Sequence, residues 1–358
     1  MGNVKTAVKK ISRRHFVLAA GSLAAAGGLG LSRIGYAAEG RITVADPGGA
    51  WGAAARKAFY DPFEKASGIR VASVAREADP LAQIKAQIQT KSYLWDVTIA
   101  TPYARILLDK LDLIEPAGLA PASFDGMIPG SITDSWVGVD VYAAILAYNT
   151  KTFGDKGPQS WADFWNVEAF PGRRSLRKSP VDTLEAALLA DGVSPKDLYP
   201  LDLDRAFKSL DKIKPHITAW WGGGAQSTQM LQSGEVDMIL LWNGRAQAAV
   251  DGGAPVKVVW NQGLYGIEGF FILKGSPRAE LARRFLEFCT DPLRQAQYVQ
   301  EVSYGPTNLH AFKSVSAERA AILPTSEKNF AKLIASGDDY WAEQIGPVTQ
   351  RFNSWLLK

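Results

Sequence analysis

Residues suited to recognising a charged small molecule stand at the end of one apolar segment. The stretch "GEVDMILLWNGRA", residues 234–246, places Trp242 directly after an apolar run and Arg245 three residues later. The face of a Trp ring attracts a cation by roughly 0.5 to 2 kcal/mol, and an Arg guanidinium can hold a carboxylate through two parallel N–H bonds. Core packing for Trp242 and a surface ion pair for Arg245 are the simpler alternatives. If both side chains line a cleft, they predict a binding site for a charged solute.

Two acidic residues provide the opposite charge. Glu268, in "YGIEGFF", precedes an apolar run, where a carboxylate needs a basic partner or a ligand amine to offset its desolvation. Asp182 opens the predicted helix "VDTLEAALL", where it either complements the helix dipole or faces a cleft. Both are therefore candidates for binding an amine.

The sequence contains few residues arranged for catalysis. After residue 37 the chain contains no GxSxG, HExxH, CxxC, Walker A or dinucleotide-binding motif. His216, His310 and the single Cys289 lack neighbours at metal-ligand spacing, and one thiol excludes an intramolecular disulfide. The sequence predicts neither a metal nor a cofactor, and it favours binding over catalysis.

The first residues predict export. Paired lysines, then "SRRHF", then a weakly apolar run and "GYAAEG" are typical of a twin-arginine signal cut after Ala37. The apolar run is too short and too rich in Gly for a membrane span. The whole chain has a formal charge of +4. Loss of the signal removes six Lys/Arg and no Asp/Glu, which leaves 34 basic and 36 acidic residues and a formal charge of −2. We therefore expect a periplasmic protein without a nucleic-acid partner.

Strands and helices alternate from residue 41 onward, and a second such block begins near residue 148. This order predicts an α/β fold of two doubly wound lobes, each with a largely parallel sheet and helices on both faces. Open α/β sheets bind ligands beyond the carboxyl ends of their strands. The loops 46–51, 101–103, 220–228 and 242–245 fall there, so we expect a cleft between the lobes to hold the site.

Six segments carry a family resemblance over most of the chain. They are "PFEKASGI", "SWADFW", "GEVDMILLWNGRA", "GAPVKVVW", "EGFFILKGS" and "YGPTN". In this order they resemble the substrate-binding proteins of ABC importers, most closely the spermidine/putrescine receptors. The resemblance implies a periplasmic binding protein of type II architecture, in which two lobes close on the ligand about a hinge. Lobe I would be residues 40–147 with 269–315, and lobe II residues 148–268 with 316–358.

The resemblance also implies a function and a site. The protein would be a non-enzymatic monomer without a cofactor that delivers a small amine to a membrane permease. The family lines its cleft with aromatic walls and holds amines with carboxylates, which here correspond to Trp51, Tyr103, Trp242, Asp182 and Glu268.

Three positions depart from the polyamine pattern, and two basic residues add positive charge. The departures are Gly266, Ser179 and Ala342, and the basic residues are Lys178 and Arg245. A polyamine such as putrescine or spermidine is therefore one predicted solute. A zwitterion such as γ-aminobutyrate is the other, with its amine on Glu268 and its carboxylate on Arg245.

Two further hypotheses belong to other classes. A periplasmic enzyme could use the same two-lobe fold. An Fe(III) receptor would need clustered tyrosines, for which Tyr298 and Tyr304 are the candidates.

Overall fold

The computed structural model of the chain describes residues 40–77, 80–120 and 124–358. The predicted export signal, with its cleavage after Ala37, lies outside the described residues. No helix within the described ranges combines the length and apolar character that crossing a membrane requires.

Strands and helices follow one another much as the sequence pattern predicts. The strands are β1 (Arg41–Asp46), β2 (Arg70–Ala75), β3 (Val97–Ala100), β4 (Ile114–Glu115), β5 (Val137–Asn149), β6 (Arg174–Arg177), β7 (Ile217–Trp221), β8 (Met238–Trp242), β9 (Val256–Leu273), β10 (Gly305–Pro306) and β11 (Leu333–Ala335). The helices of the first half are α1 (Gly49–Ala55), continued by a π-helical turn (Arg56–Tyr60), α2 (Asp61–Ser67), α3 (Leu81–Thr90), α4 (Pro102–Lys110), α5 (Thr150–Phe153), α6 (Trp161–Trp165) and α7 (Thr183–Ala190). Those of the second half are α8 (Leu203–Ile213), α9 (Gly224–Gln232), α10 (Asn243–Asp251), α11 (Ala279–Phe288), α12 (Pro292–Glu301), α13 (Ala317–Ala321), α14 (Glu327–Phe330) and α15 (Asp338–Leu356).

The main sheet has the order β2-β1-β3-β9-β5-β8-β6-β7. The prediction of parallel pairing is confirmed for the outer strands, since β1 pairs in parallel with β2 and β3, and β6 with β7 and β8. It is wrong for the centre, where β5 and β9 run antiparallel to each other and to their outer neighbours β8 and β3. Periodicity indicates that a segment is a strand but does not give its direction, which depends on the connections.

Strand β9 is longer than the sequence pattern suggests. The segment "VKVVW" and the first six residues of "EGFFILKGS" belong to one strand of 18 residues, so Glu268 lies within a strand and not in front of one. Its partner β5 spans 13 residues. Both strands are long enough to connect two separate cores.

Apolar side chains form separate buried clusters along this central pair of strands. One large cluster surrounds Trp161, Leu184 and Trp221 and includes the second half of β5. Another contains Phe59 and Phe270, together with the start of β5. β5 and β9 thus join two cores, as a hinge between lobes requires. The lobe boundaries themselves stay a prediction.

Candidate ligand-binding site

Two carboxylates face each other where β5 and β9 join the cores. Asp140 and Glu268 are cross-strand neighbours in the β5–β9 ladder. Asp140 is fully buried, and its Oδ2 accepts hydrogen bonds from Trp51 Nε1 at 2.9 Å and from the Tyr298 hydroxyl at 2.8 Å. Among the described residues, Asp140 Oδ1 has no hydrogen-bond partner. Trp51, predicted as an aromatic wall, is only 3% exposed and serves mainly as a donor to this carboxyl group.

The two carboxyl groups differ in their surroundings. Burial raises the pKa of Asp140 well above its usual range, and the nearby Glu268 raises it further. Burial also raises the pKa of Glu268, but Arg76 and Arg245 oppose this rise. Two neighbouring carboxylates are not both ionised at low cost. We therefore assign the proton to Asp140 and the negative charge to Glu268.

The "WNG" turn fixes the edge of the site at the end of β8. Asn243 Oδ1 accepts a hydrogen bond from the backbone N–H of Ala143 in β5 at 2.9 Å, and its Nδ2 donates to the carbonyl of Ser303 at 2.5 Å. These bonds connect the start of α10 to the central strand and to the loop after α12. Sequence reasoning singled out Trp242 and Arg245 but passed over Asn243, the residue that fixes the turn between them.

Two glycines leave room for Arg245 and for the neighbouring Tyr304. A Cβ on Gly224 would come within 2.6 Å of Arg245 Nε, and one on Gly244 within 2.8 Å of the Tyr304 ring. Burial raises the pKa of Tyr304, and the adjacent Arg245 opposes that rise. Arg245 also favours the charged form of Glu268. The structure thus brings the two predicted residues of opposite charge into electrostatic contact.

One face of Trp242 is already occupied by a protein cation. The Arg177 guanidinium carbon lies 4.8 Å from the ring centroid, and Arg177 Nη1 donates to Asp182 Oδ2 at 2.8 Å. Trp221 packs edge-on against Trp242 at 5.2 Å. Sequence reasoning proposed the neighbouring Lys178, which is exposed, and missed Arg177. The usable signal was the position of Arg177 as the last residue of a strand, at the edge where ligands bind.

Asp182 is held in a strained backbone conformation. It is 3% exposed and has φ 72° and ψ −36°, which a residue with a side chain rarely adopts. Burial raises its pKa, and the ion pair with Arg177 opposes that rise. Asp182 therefore holds Arg177 over Trp242. Direct contact between Asp182 and a solute stays a prediction.

Tyr142 fills the space next to Gly266. The two residues are cross-strand neighbours, and a Cβ on Gly266 would come within 2.6 Å of the Tyr142 hydroxyl. Burial raises the pKa of Tyr142, and the nearby Asp182, Tyr103 and Glu268 raise it further. Tyr142 of the adjacent strand therefore occupies the space beside Gly266, one of the three positions that depart from the polyamine pattern. A tyrosine within the apolar run of β5 reads as core, which is why sequence reasoning missed it.

A cavity of about 560 Å³ opens beside Glu268. Tyr103, at the start of α4, lines it together with Arg76 and Thr101. A separate, smaller space of about 100 Å³ is lined by Trp51, Arg245 and Tyr304 among others. Glu268 and Tyr103 thus share the large cavity, while Trp51 and Arg245 share the small one.

The site offers little to a metal ion. In the described ranges, no three or more His, Cys, Asp or Glu residues are grouped so that they could hold one. Tyr298, one of the two tyrosines considered for Fe(III), is fully buried and donates its hydroxyl to Asp140. Its use in that hydrogen bond argues against the Fe(III) alternative.

Comparisons with known proteins agree with this geometry. The sequence pattern of the family described as bacterial extracellular solute-binding protein matches residues 58–325. The chain is 35% identical over 340 residues to the gamma-aminobutyric acid-binding protein of Pseudomonas aeruginosa, covering 92% of this chain and 95% of that protein. It is 23% identical over 313 residues to the spermidine/putrescine-binding periplasmic protein of Escherichia coli, covering 84% and 87%. The structure of an ABC transporter substrate-binding protein from Bradyrhizobium japonicum superimposes with a TM-score of 0.83 at 41% identity, covering 88% of this chain and 99% of that one.

Proposed function

Because the chain belongs to the bacterial extracellular solute-binding proteins, we propose that it captures a small zwitterionic solute of the amino-acid type, with γ-aminobutyrate as the reference compound. It is a substrate-binding receptor of an ABC importer and not an enzyme, as its family and relatives establish. The predictions of family, two-lobe fold class and non-enzymatic role are confirmed. The identity of the solute is the part that we propose.

One observation carries the choice of a zwitterion: the positive charges of Arg76 and Arg245 both favour the charged form of Glu268. A solute with an amine and a carboxylate can satisfy both groups. A polyamine carries only positive charges, so it would pair with Glu268 but face repulsion from Arg245. A further cation, Arg177, already covers one face of Trp242.

The relatives support the same choice. The γ-aminobutyrate-binding relative shares more identity, over more of its length, than the polyamine-binding one. A polyamine therefore becomes the second candidate. In the proposed site, Glu268 binds the amine at the large cavity, Arg245 binds the carboxylate at the small one, and Tyr103 and Trp242 form walls. Trp51 and Asp182 act behind them, by holding Asp140 and Arg177.

The mode of action follows from the central strand pair. A solute that touches residues of both cores stabilises a closed arrangement, and only its differential affinity for that arrangement drives closure about the hinge. We propose that the closed protein acts as a periplasmic monomer, exported through its twin-arginine signal, and docks on the permease of its importer.

Calorimetry and thermal unfolding of the mature protein, residues 38–358, test the proposal. We expect γ-aminobutyrate to bind and raise the Tm, by a stabilisation of about 2.7 kcal/mol at a concentration of 100 times Kd, and spermidine and putrescine to have less effect. Arg245→Ala should abolish most of the γ-aminobutyrate shift. Arg205→Ala is the matched control, since Arg205 pairs with Asp191 on the surface of α8. Binding of spermidine without γ-aminobutyrate, or an unchanged shift in Arg245→Ala, would contradict the zwitterion assignment.

A further inference from the structure

The cavity beside Glu268 is larger than a short zwitterion needs. Its volume of about 560 Å³ lies within the range of about 300 to 1,000 Å³ that accommodates drug-sized ligands. A four-carbon amino acid would occupy only the end next to Glu268. The remaining volume extends between α3, α4 and α15.

Charge is confined to one side of this cavity. Arg76 and Glu268 are its charged lining residues, and the Arg76 charge favours the ionised form of Glu268. The floor is apolar and buried; it consists of Ile84, Ile99, Leu108 and Phe271. A solute that fills the cavity would therefore place a charged group at Glu268 and a carbon-rich group over this floor.

The side walls are apolar too, and they come from helices distant in sequence. Leu107 and Ala104 of α4 line one wall, and Ile345 and Gly346 of α15 line the other. An ion pair at 3.1 Å between Lys110 of α4 and Glu343 of α15 joins the two helices. The two walls thus come from different predicted lobes, and the ion pair between them is exposed.

We propose that the solute of this receptor carries an apolar substituent, branched aliphatic or aromatic, which binds in the cavity between α3, α4 and α15 while its amine binds Glu268. This inference rests on the proposed function and narrows it from zwitterions in general to apolar amino acids. Each methylene group removed from water is worth roughly a fourfold gain in affinity. A phenyl group buried against this floor should therefore raise affinity by well over tenfold.

A substituent series on the wild-type mature protein gives the first test. We would measure by calorimetry the Kd of γ-aminobutyrate, of its 3-methyl derivative and of its 3-phenyl derivative. The proposal expects affinity to rise along the series, by at least tenfold from the first compound to the last. Equal or falling affinity along the series would overturn it while leaving the proposed function intact. Failure of all three compounds to bind would instead overturn the proposed function.

Filling the cavity gives the second test. Gln350→Phe changes an exposed residue of α15 that does not line the cavity, so it should leave all three affinities unchanged and serves as the control. Gly346→Phe should fill the mouth and lower affinity for the phenyl derivative at least tenfold, with γ-aminobutyrate little affected. Ala104→Leu fills the same space from α4 and repeats the test should Gly346→Phe fold poorly. If these variants bind the phenyl derivative as tightly as the wild type does, the cavity is not its binding site.

Discussion

Asp140 and Glu268 lie directly opposite each other on β5 and β9, the two strands that connect the cores. The first is fully buried and receives two hydrogen bonds on one oxygen. The second faces the charges of Arg76 and Arg245. A pair of carboxyl groups at the hinge is therefore divided into a neutral structural member and a charged member available to a solute.

This division predicts opposite outcomes for two conservative changes. Asp140→Asn keeps an acceptor oxygen for Trp51 and Tyr298 and removes no charge, so we expect the free energy of unfolding to change by less than about 1 kcal/mol and solute affinity to stay within a few-fold. Glu268→Gln removes the charge that holds the amine, so affinity should fall about 30- to 100-fold. Urea unfolding and calorimetry on both variants measure these effects. If Asp140→Asn weakened solute binding more than Glu268→Gln did, our assignment of the proton to Asp140 would be contradicted.

The ion pair between Arg177 and Asp182 predicts a large stability effect from a small truncation. Arg177→Ala leaves the carboxylate of Asp182 buried without its cation, in a strained conformation, and should lower the free energy of unfolding by roughly 3 kcal/mol. The double variant Arg177→Ala/Asp182→Asn should recover much of that loss because no charge is left unpaired. Arg351→Ala is the control: its pair with Asp204 is on the surface and should be worth under about 1 kcal/mol. A double variant no more stable than Arg177→Ala would refute this account.

The sequence predicts those site residues that stand at the ends of strands. Trp242, Arg245 and Tyr103 fall at such ends, and the edge rule for α/β sheets was enough to single them out. Asp140 and Tyr142 lie inside a strand, where a sequence reads as core. They become part of a site only because β5 pairs with β9 in one particular register, which brings them opposite Glu268 and Gly266.

A similar limit applies to the fold. Alternation of strands and helices predicts an α/β fold. The antiparallel pairing of the central strands depends on which distant segments of the chain pair with each other. Local periodicity does not contain that information. The single strand from 256 to 273 was missed for a related reason. Its middle contains Asn261, Gln262 and Gly263, which read as a break in the apolar pattern.

The buried Glu185 should make the folded protein less stable as the pH rises. Glu185 is 1% exposed, and its Oε1 accepts hydrogen bonds from the Tyr199 hydroxyl at 2.7 Å and Trp341 Nε1 at 2.6 Å. Burial raises its pKa to about 7, with a further contribution from Asp182. The folded chain therefore holds this proton more tightly than the unfolded chain, whose Glu pKa is about 4.3. Between these two values the free energy of unfolding should fall as pH rises, by up to about 3 kcal/mol in total.

Glu185→Gln isolates that contribution. The amide is neutral at every pH, so the variant should lose this part of the slope between pH 4.5 and 7.5 and become more stable than the wild type at pH 8. Glu318→Gln changes an exposed carboxylate and should reproduce the wild-type slope. Urea unfolding across that pH range, with midpoints and m-values compared, makes the measurement. An unchanged slope in Glu185→Gln would show that this carboxyl group is already ionised in the folded protein.

Because Tyr142 lies close to Gly266, we expect the effects of substituting these two residues on stability to depend on each other. Gly266→Ala places a methyl group 2.6 Å from the Tyr142 hydroxyl, and forcing that ring to move should cost about 1 to 3 kcal/mol of stability. In a Tyr142→Ala background the same methyl group meets open space, so the cost should nearly disappear. A double-mutant cycle should therefore give a coupling energy of at least about 1 kcal/mol.

Gly222→Ala is the control for this cycle, because a Cβ there would meet no described atom within 4 Å. It should be neutral in both backgrounds.

Because Tyr142 also lies beside Glu268, Gly266→Ala should weaken solute binding along with stability. Tyr142→Ala, by enlarging the space around that carboxylate, should admit bulkier amines. Additive stability effects of Gly266→Ala and Tyr142→Ala would mean that Tyr142 does not occupy the space beside Gly266.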